Sequence, residues 1–345
     1  MLKDLSKRHR WSSFLRGCAA VVVALGLVLL SLCVGPGDFS PETVLRIVLN
    51  RFVFGIENKS LADVILWELR IPRTLLVWVV GASLALAGGI SQGMFRNPLA
   101  DPGVLGISAG AGAAVVAGIA CGIDEHALWV TPVLAIVGAA GVLLVLVSCS
   151  VRSEDIATLL LTGVAISAIL VGLTTCMLSL TMDDWNGAQR AVVWMLGSFD
   201  GRGWDHVKWG LPPLGLALIL GLTFNRSLDV LVLGEDTAVS LGTHMRKMKL
   251  GMAAVIAVLC GVSTALVGSI GFVGLVVPHM VRMIFGPNHG PLLRMSIFIG
   301  GATMILVDVV SRALAPMYLA PGALTSLLGG GFFLWLVRRR RRGIL

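Results

Sequence analysis

Bond-making chemistry needs nucleophiles, acids or metal ligands at close spacing, and this sequence offers few. No lysine follows a glycine, so the Gly-Lys-Ser/Thr core of a phosphate-binding loop is missing. There is no G-x-S-x-G, no H-E-x-x-H and no clustered set of carboxylates. His279 stands beside Pro278 and three residues before Arg282, with no second ligand near it in sequence, and is read as structural. Cys18, Cys33, Cys121, Cys149, Cys176 and Cys260 are scattered without a C-x-x-C pair and are expected to be small buried hydrophobes. What stands out is arginine. Arg70 and Arg73 flank Pro72 in LRIPRT, and Arg312 follows Asp308 by four residues, a spacing at which the two pair on one helix face. A guanidinium fork grips carboxylates bidentately, so recognition of an acidic partner is the chemistry these residues offer.

The elements that hold these residues are apolar. Of 345 residues, 56% are hydrophobic and only 13% charged, about half the charge of a soluble domain, and the mean hydropathy is +0.90. Stretches near 20 residues with few charges have the length needed to cross a hydrocarbon core. Continuous apolar runs such as Val142–Val147 exclude the alternating strands of a barrel. The sequence therefore predicts an all-α polytopic membrane protein with about ten spans, near 15–34, 63–90, 103–121, 127–149, 157–181, 206–224, 249–267, 275–286, 293–315 and 322–337. The first span follows a basic N-terminus and is read as a retained helix, too long for a signal peptide. The eighth is short and broken by Pro278. Arg96, Arg152, Arg226, Arg246, Lys247, Lys249 and the Arg338–Arg342 run fall on one side. Asp124, Glu125, Asp183, Asp184 and Asp200 fall on the other. By the positive-inside rule both termini are then cytoplasmic. The net charge of +8 reflects topology and lipid headgroups, not nucleic acid.

Two apolar stretches are interrupted: RNPLADPG at Arg96–Gly103 and GSIGFVGLVVPHMVRMIFGPNHG at Gly268–Gly290. Backbone that leaves the helical form at membrane depth must be lined by protein or water. Paired interruptions in corresponding places point to two related halves with a substrate route between them; an ordinary tight turn is the alternative for the first. A third stretch, DVLVLGEDTAVSLGTHMRKMK from Asp229, is soluble in character. Glu235 and Asp236 suit a helix start and Gly242 a helix end, predicting a short helix at Glu235–Leu241 that is either a connector or a docking site for a cytoplasmic partner.

Taken together, LRIPRTL, GASLALAGGISQGMFRNPLADPGVLGISAGAG, LTGVAIS, VVWMLGSFDGRGW, LGEDTAVSLG, GFVGLVVPHMVRMIFGPNH and DVVSR, in this order over essentially the whole chain, resemble the permease subunits of bacterial ABC importers for iron-siderophores, haem and vitamin B12. The resemblance implies a type II ABC importer permease fold, a single transmembrane permease domain over 1–345 with a coupling segment near 229–248, and an inner-membrane location. It implies a dimer with itself or a homologous subunit, two cytoplasmic ATPase subunits that bind ATP and Mg, and a periplasmic binding protein. No cofactor belongs to this chain itself, and it is not an enzyme. Asn97 and Leu99 match the cytoplasmic gate. Leu233, Gly234, Glu235, Asp236, Ala238, Leu241 and Gly242 match the helix that docks into the ATPase. Arg70, Arg73 and Arg312 match the arginines that meet the binding protein. Iron-siderophore is the first expected cargo, haem and cobalamin following. An ion-coupled secondary transporter, for which Asp308 is the one good carboxylate, and a membrane enzyme are the rivals. The chain departs from the family pattern E-x-P-x-G before the last helix: Leu319 replaces the glutamate, and Pro321–Ala323 reads PGA.

Overall fold

The computed structural model describes residues 2–35, 37, 39–53, 60–103, 105–123, 127, 129–152, 156–180, 192, 194–314 and 319–341, and no strand occurs among them. The helices are α1 (Leu2–Cys33), α2 (Pro41–Val53), α3 (Leu61–Met94), α4 (Ile107–Ala120), α5 (Val130–Arg152), α6 (Ile156–Leu180), α7 (Trp204–Thr223), α8 (Asn225–Val232), α9 (Glu235–Ser240), α10 (Met245–Val267), α11 (Val273–Phe285), α12 (His289–Ala313) and α13 (Pro321–Arg341). Five of them are long and apolar enough to cross a membrane alone: α3, α10, α12, and the Val130–Cys149 and Leu161–Ser179 parts of α5 and α6. The α7–α8 pair, bent by 44°, adds a broken span. Shorter apolar helices fall in α1, α4, α11 and α13. Among the described residues they make ten apolar segments, at the ten predicted places. The first helix extends well ahead of its predicted start at residue 15, through the basic N-terminus. The predicted acidic residues Asp124, Glu125, Asp183 and Asp184 and the last arginine of the terminal run, Arg342, lie outside the described residues.

α3 is the central element. It packs along α12 and also touches α7, α10 and α11. Small residues allow this. Gly81 faces the Gly300 backbone of α12, where a Cβ would come within 2.5 Å of the Gly300 oxygen, and Gly88 lies so close to Gly274 of α11 that any Cβ would collide with that carbonyl. In lipid, where apolar burial gives no drive for helix association, such backbone contact is a main source of cohesion.

Pro278 does not break the eighth span, as the sequence predicts; it lies inside a continuous α11. The break falls ahead of the helix, at Phe272, which has a left-handed backbone. Proline cannot donate to the carbonyl four residues back, so the Gly274 oxygen is released. Gln92 Nε2 of α3 donates to it and to the Leu275 oxygen, both at 3.3 Å. The turn Ile65–Arg70 of α3 is wound as a π-helix, with Ile71 N–H donating to the Leu66 oxygen five residues back. Arg70, the last residue of that turn, reaches the Leu32 and Cys33 oxygens at the end of α1.

Of the five described cysteines only Cys260 is buried. Cys121 and Cys176 are exposed, so the expectation of six buried cysteines fails there.

Candidate functional site

The two interrupted stretches meet. α3 ends at Met94, and the chain turns through Arg96, which has a left-handed backbone. Arg96 and Phe272 are the non-glycine residues with positive φ among those described, one in each interruption. The first turn is closed by its own bonds: Arg96 N–H to Gly93 O (3.2 Å), Asn97 N–H to Gln92 O (3.0 Å) and Ala100 N–H to Asn97 O (3.0 Å). Asn97 Oδ1 accepts from Leu99 N–H at 2.9 Å, and Asp101 Oδ1 accepts from Gly103 N–H at 2.8 Å. These side-chain caps satisfy the backbone that leaves the helix. Asn97 is buried, and its Nδ2 has no hydrogen-bond partner among the described residues.

Between the turns lies a cavity of about 380 Å³. Asp101 and Gly103 line it from the first interruption, and Ser269, Ile270, Gly271 and Phe272 from the second. Ser108, Ala109 and Gly112 of α4, Ser167, Val171 and Thr174 of α6, and Trp194 and Met195 complete the wall. Asn97 and Leu99 are not in it. They form the turn behind the lining, and sequence reasoning missed Asp101 as the residue that faces in. The sequence does not show which face of the fifth span turns inward; α6 lines the cavity through Ser167, Val171 and Thr174. The edge of the cavity is knitted by Ser198 N–H to Val267 O (2.8 Å) and Gly322 N–H to Gly197 O (3.2 Å). At the departure from the family pattern, Ser311 Oγ donates to the backbone oxygen of Leu319. A main-chain oxygen acts there, so the leucine side chain is compatible with the contact.

Arg70, Arg73 and Arg312 converge at one end of the bundle. Asp308 is fully buried; it accepts from Arg73 Nη2 at 2.8 Å and from Arg312 Nε at 3.0 Å, the i, i+4 pairing the sequence predicts. Arg73 Nη1 reaches the half-exposed Asp200 at 2.5 Å. Arg312 also donates to Ser31 Oγ and to the Ser31 and Val34 oxygens at the end of α1. Arg70 is buried, its guanidinium on the Leu32, Cys33 and Gly37 oxygens and over the Phe39 ring. The arginines therefore tie α1, α3 and α12 together, with Asp200 at the exposed edge.

At the opposite end, α9 runs over Glu235–Ser240, one residue shorter than predicted. Gly234 (φ +107°) and Gly242 (φ +83°) bracket it, both in backbone regions that glycine adopts at little cost. Thr243 N–H to Ala238 O and Gly242 N–H to Val239 O close its end. Ala238 is fully buried, and Glu235 pairs with the buried Lys249 of α10 at 2.7 Å. Leu233, Val239 and Leu241 are exposed, an apolar patch on a short helix held from beneath.

The chain matches the model of the FecCD transport family over residues 22–339. It is 35% identical over 334 residues to the vitamin B12 import system permease protein BtuC of Escherichia coli O9:H4 (strain HS), covering 94% of this chain and 95% of that one. To the protein of the same name from Escherichia coli O157:H7 (strain EC4115 / EHEC) it is 36% identical over 338 residues, with the same coverage. Among solved structures, it superposes with a TM-score of 0.80 and 28% identity on a chain in an inward-facing conformation, described as a metal-chelate type ABC transporter, over 93% of this chain and 98% of that one. The bundle of apolar helices around two interrupted stretches thus has its counterpart in an ABC importer permease, and the chain belongs to the FecCD transport family.

Proposed function

We propose that this permease forms half of an importer's translocation channel and carries a bulky metal chelate, powered by separate ATPase subunits. The observation that carries the reading is the cavity where the two interrupted stretches meet. Its wall sets four hydroxyl side chains, Ser108, Ser167, Thr174 and Ser269, among apolar ones such as Val171, Trp194, Met195, Ile270 and Phe272, with one carboxylate, Asp101, so it offers a passing cargo few strong holds. The named relatives import vitamin B12, which puts cobalamin first among cargoes to test, ahead of the iron-siderophores expected first from the family resemblance, and haem. Residues 1–345 act as one permease domain in the bacterial inner membrane with both termini cytoplasmic.

In this reading two copies, or this chain and a homologue, face each other across the route. α9 docks into an ATPase subunit through Leu233, Val239 and Leu241, with Gly234, Glu235, Asp236, Ala238 and Gly242 shaping and seating it. The turn at Asn97 and Leu99 forms the cytoplasmic gate. Arg73 and Arg312 present the docking end to a periplasmic binding protein, and Arg70 holds that end in shape. ATP binding draws the docking helices together and shifts the bundle between outward-open and inward-open. Driving such an equilibrium from 1:99 to 99:1 takes about 5.5 kcal/mol of differential binding. The secondary-transporter reading loses its best residue, since Asp308 is committed to both Arg73 and Arg312.

The test is mass spectrometry of the complex that co-purifies with the chain, followed by uptake of labelled cobalamin and ferric chelates into proteoliposomes. ATPase subunits in the complex and uptake that needs internal ATP are expected. Transport by the purified chain alone overturns the reading.

A further inference from the structure

His289 is the first residue of α12, and the Asn288 before it gives that helix no side-chain cap. The cap comes from another element. Asp229 Oδ1, on α8, accepts from the backbone N–H of His289 at 3.0 Å and contacts the ring Nδ1 at 2.7 Å. His289 is 4% exposed. The far side of its ring rests on Gly93 of α3: a Cβ on Gly93 would lie 2.9 Å from His289 Nε2 and 2.8 Å from Leu228 Cδ2, the residue before Asp229. The Gly93 oxygen in turn accepts from Arg96 N–H, the bond that holds the left-handed turn ahead of Asn97. On the other side, α8 leads through Gly234 directly into α9, and Ala238 N–H returns to the Gly234 oxygen at 3.1 Å.

These contacts form an unbroken mechanical line. Along it α9 adjoins α8, α8 carries the carboxylate that caps α12, and the capped histidine bears on the residue that holds the Arg96–Asn97 turn. We propose that Asp229 and His289 are positioning residues that transmit movement of the docking helix to the gate turn. The inference rests on the reading of α9 as the ATPase-docking helix. Spatial adjacency alone does not establish coupling; coupling is established when breaking the link changes it.

The experiment uses the whole transporter, with its ATPase subunits and binding protein, in proteoliposomes, and reads cargo imported per ATP hydrolysed. Asp229→Ala is expected to lower that ratio about fivefold or more while ATP hydrolysis continues. Asp229→Asn keeps an oxygen that accepts from both the backbone and the ring and is expected to stay near wild type, a rescue that a charge-based role would not show. Gly93→Ala, which wedges the ring and Leu228 away from α3, is expected to lower the ratio as well. If Asp229→Ala does not assemble, His289→Phe is read instead; it keeps the ring volume and the backbone cap but loses the Nδ1 contact, and a lowered ratio is again expected. Wild-type import with an unchanged ratio in the broken-link variants overturns the inference alone, as does Asp229→Asn falling as far as Asp229→Ala. A wild-type complex that imports nothing on ATP overturns the functional reading and the inference with it.

Discussion

Asp308 has no exposed surface, and its charge is tolerable only because two guanidinium groups reach it. Truncating one side of a buried ion pair leaves the other side uncompensated, at a cost of about 3–5 kcal/mol. Asp308→Ala is therefore expected to lower the thermal unfolding midpoint of the purified protein sharply, and Arg73→Ala less so than that, because Arg312 stays on the carboxylate. An unchanged midpoint would show that the cluster does not hold the end of the bundle. The Asp308–Arg312 pair was legible in the sequence because four-residue spacing on a helix is a local rule. The partner Arg73, 235 residues away, was not. Nor was the fate of Arg70: LRIPRT shows two arginines on a proline turn but not that a π-helical turn swings one of them onto the carbonyls that end α1.

Elements show the same division. The spans were legible because hydropathy reports them one at a time, yet Pro278 misled. Proline marks a missing donor, and whether a helix breaks there depends on who supplies the donor, here Gln92 from a different helix. Leaving such buried carbonyls unpaired costs about 1–3 kcal/mol each. Gln92→Leu is accordingly expected to reduce stability by an amount of that order in denaturation of the detergent-solubilised protein, and Gln92→Glu, which lacks the donor when ionised, to do no better. The docking helix was legible as a helix between glycines. Which of its residues face outward was not, since that depends on Lys249 and the buried Ala238 beneath it. Val239→Arg with Leu241→Arg is expected to leave the bundle folded and to abolish recovery of ATPase subunits in affinity purification; full recovery would take the docking role from α9.

For the whole molecule, the sequence could not say which apolar faces meet lipid and which meet a partner, because both are equally apolar. The fold separates them by packing. The apolar window of α3 is 89% buried, that of α6 only 11%, although α6 contributes to the cavity wall. A helix that lines the cavity and is otherwise uncovered fits a site completed by a second copy. With cysteine at Ile169, which is 69% exposed, oxidative cross-linking in membranes is expected to join two chains. Chains that stay single under oxidation would argue for a lipid-facing α6.

The cavity's sparse polar lining also bears on how such transporters diversify. Within one chain the space of about 380 Å³ presents a single carboxylate, Asp101, and otherwise hydroxyl and apolar groups, so its wall has little with which to tell one chelate from another. In the proposed reading, discrimination then falls to whatever hands the molecule over. A lineage that meets a new chelate needs to alter only that delivery protein, while the same bundle goes on admitting whatever is presented.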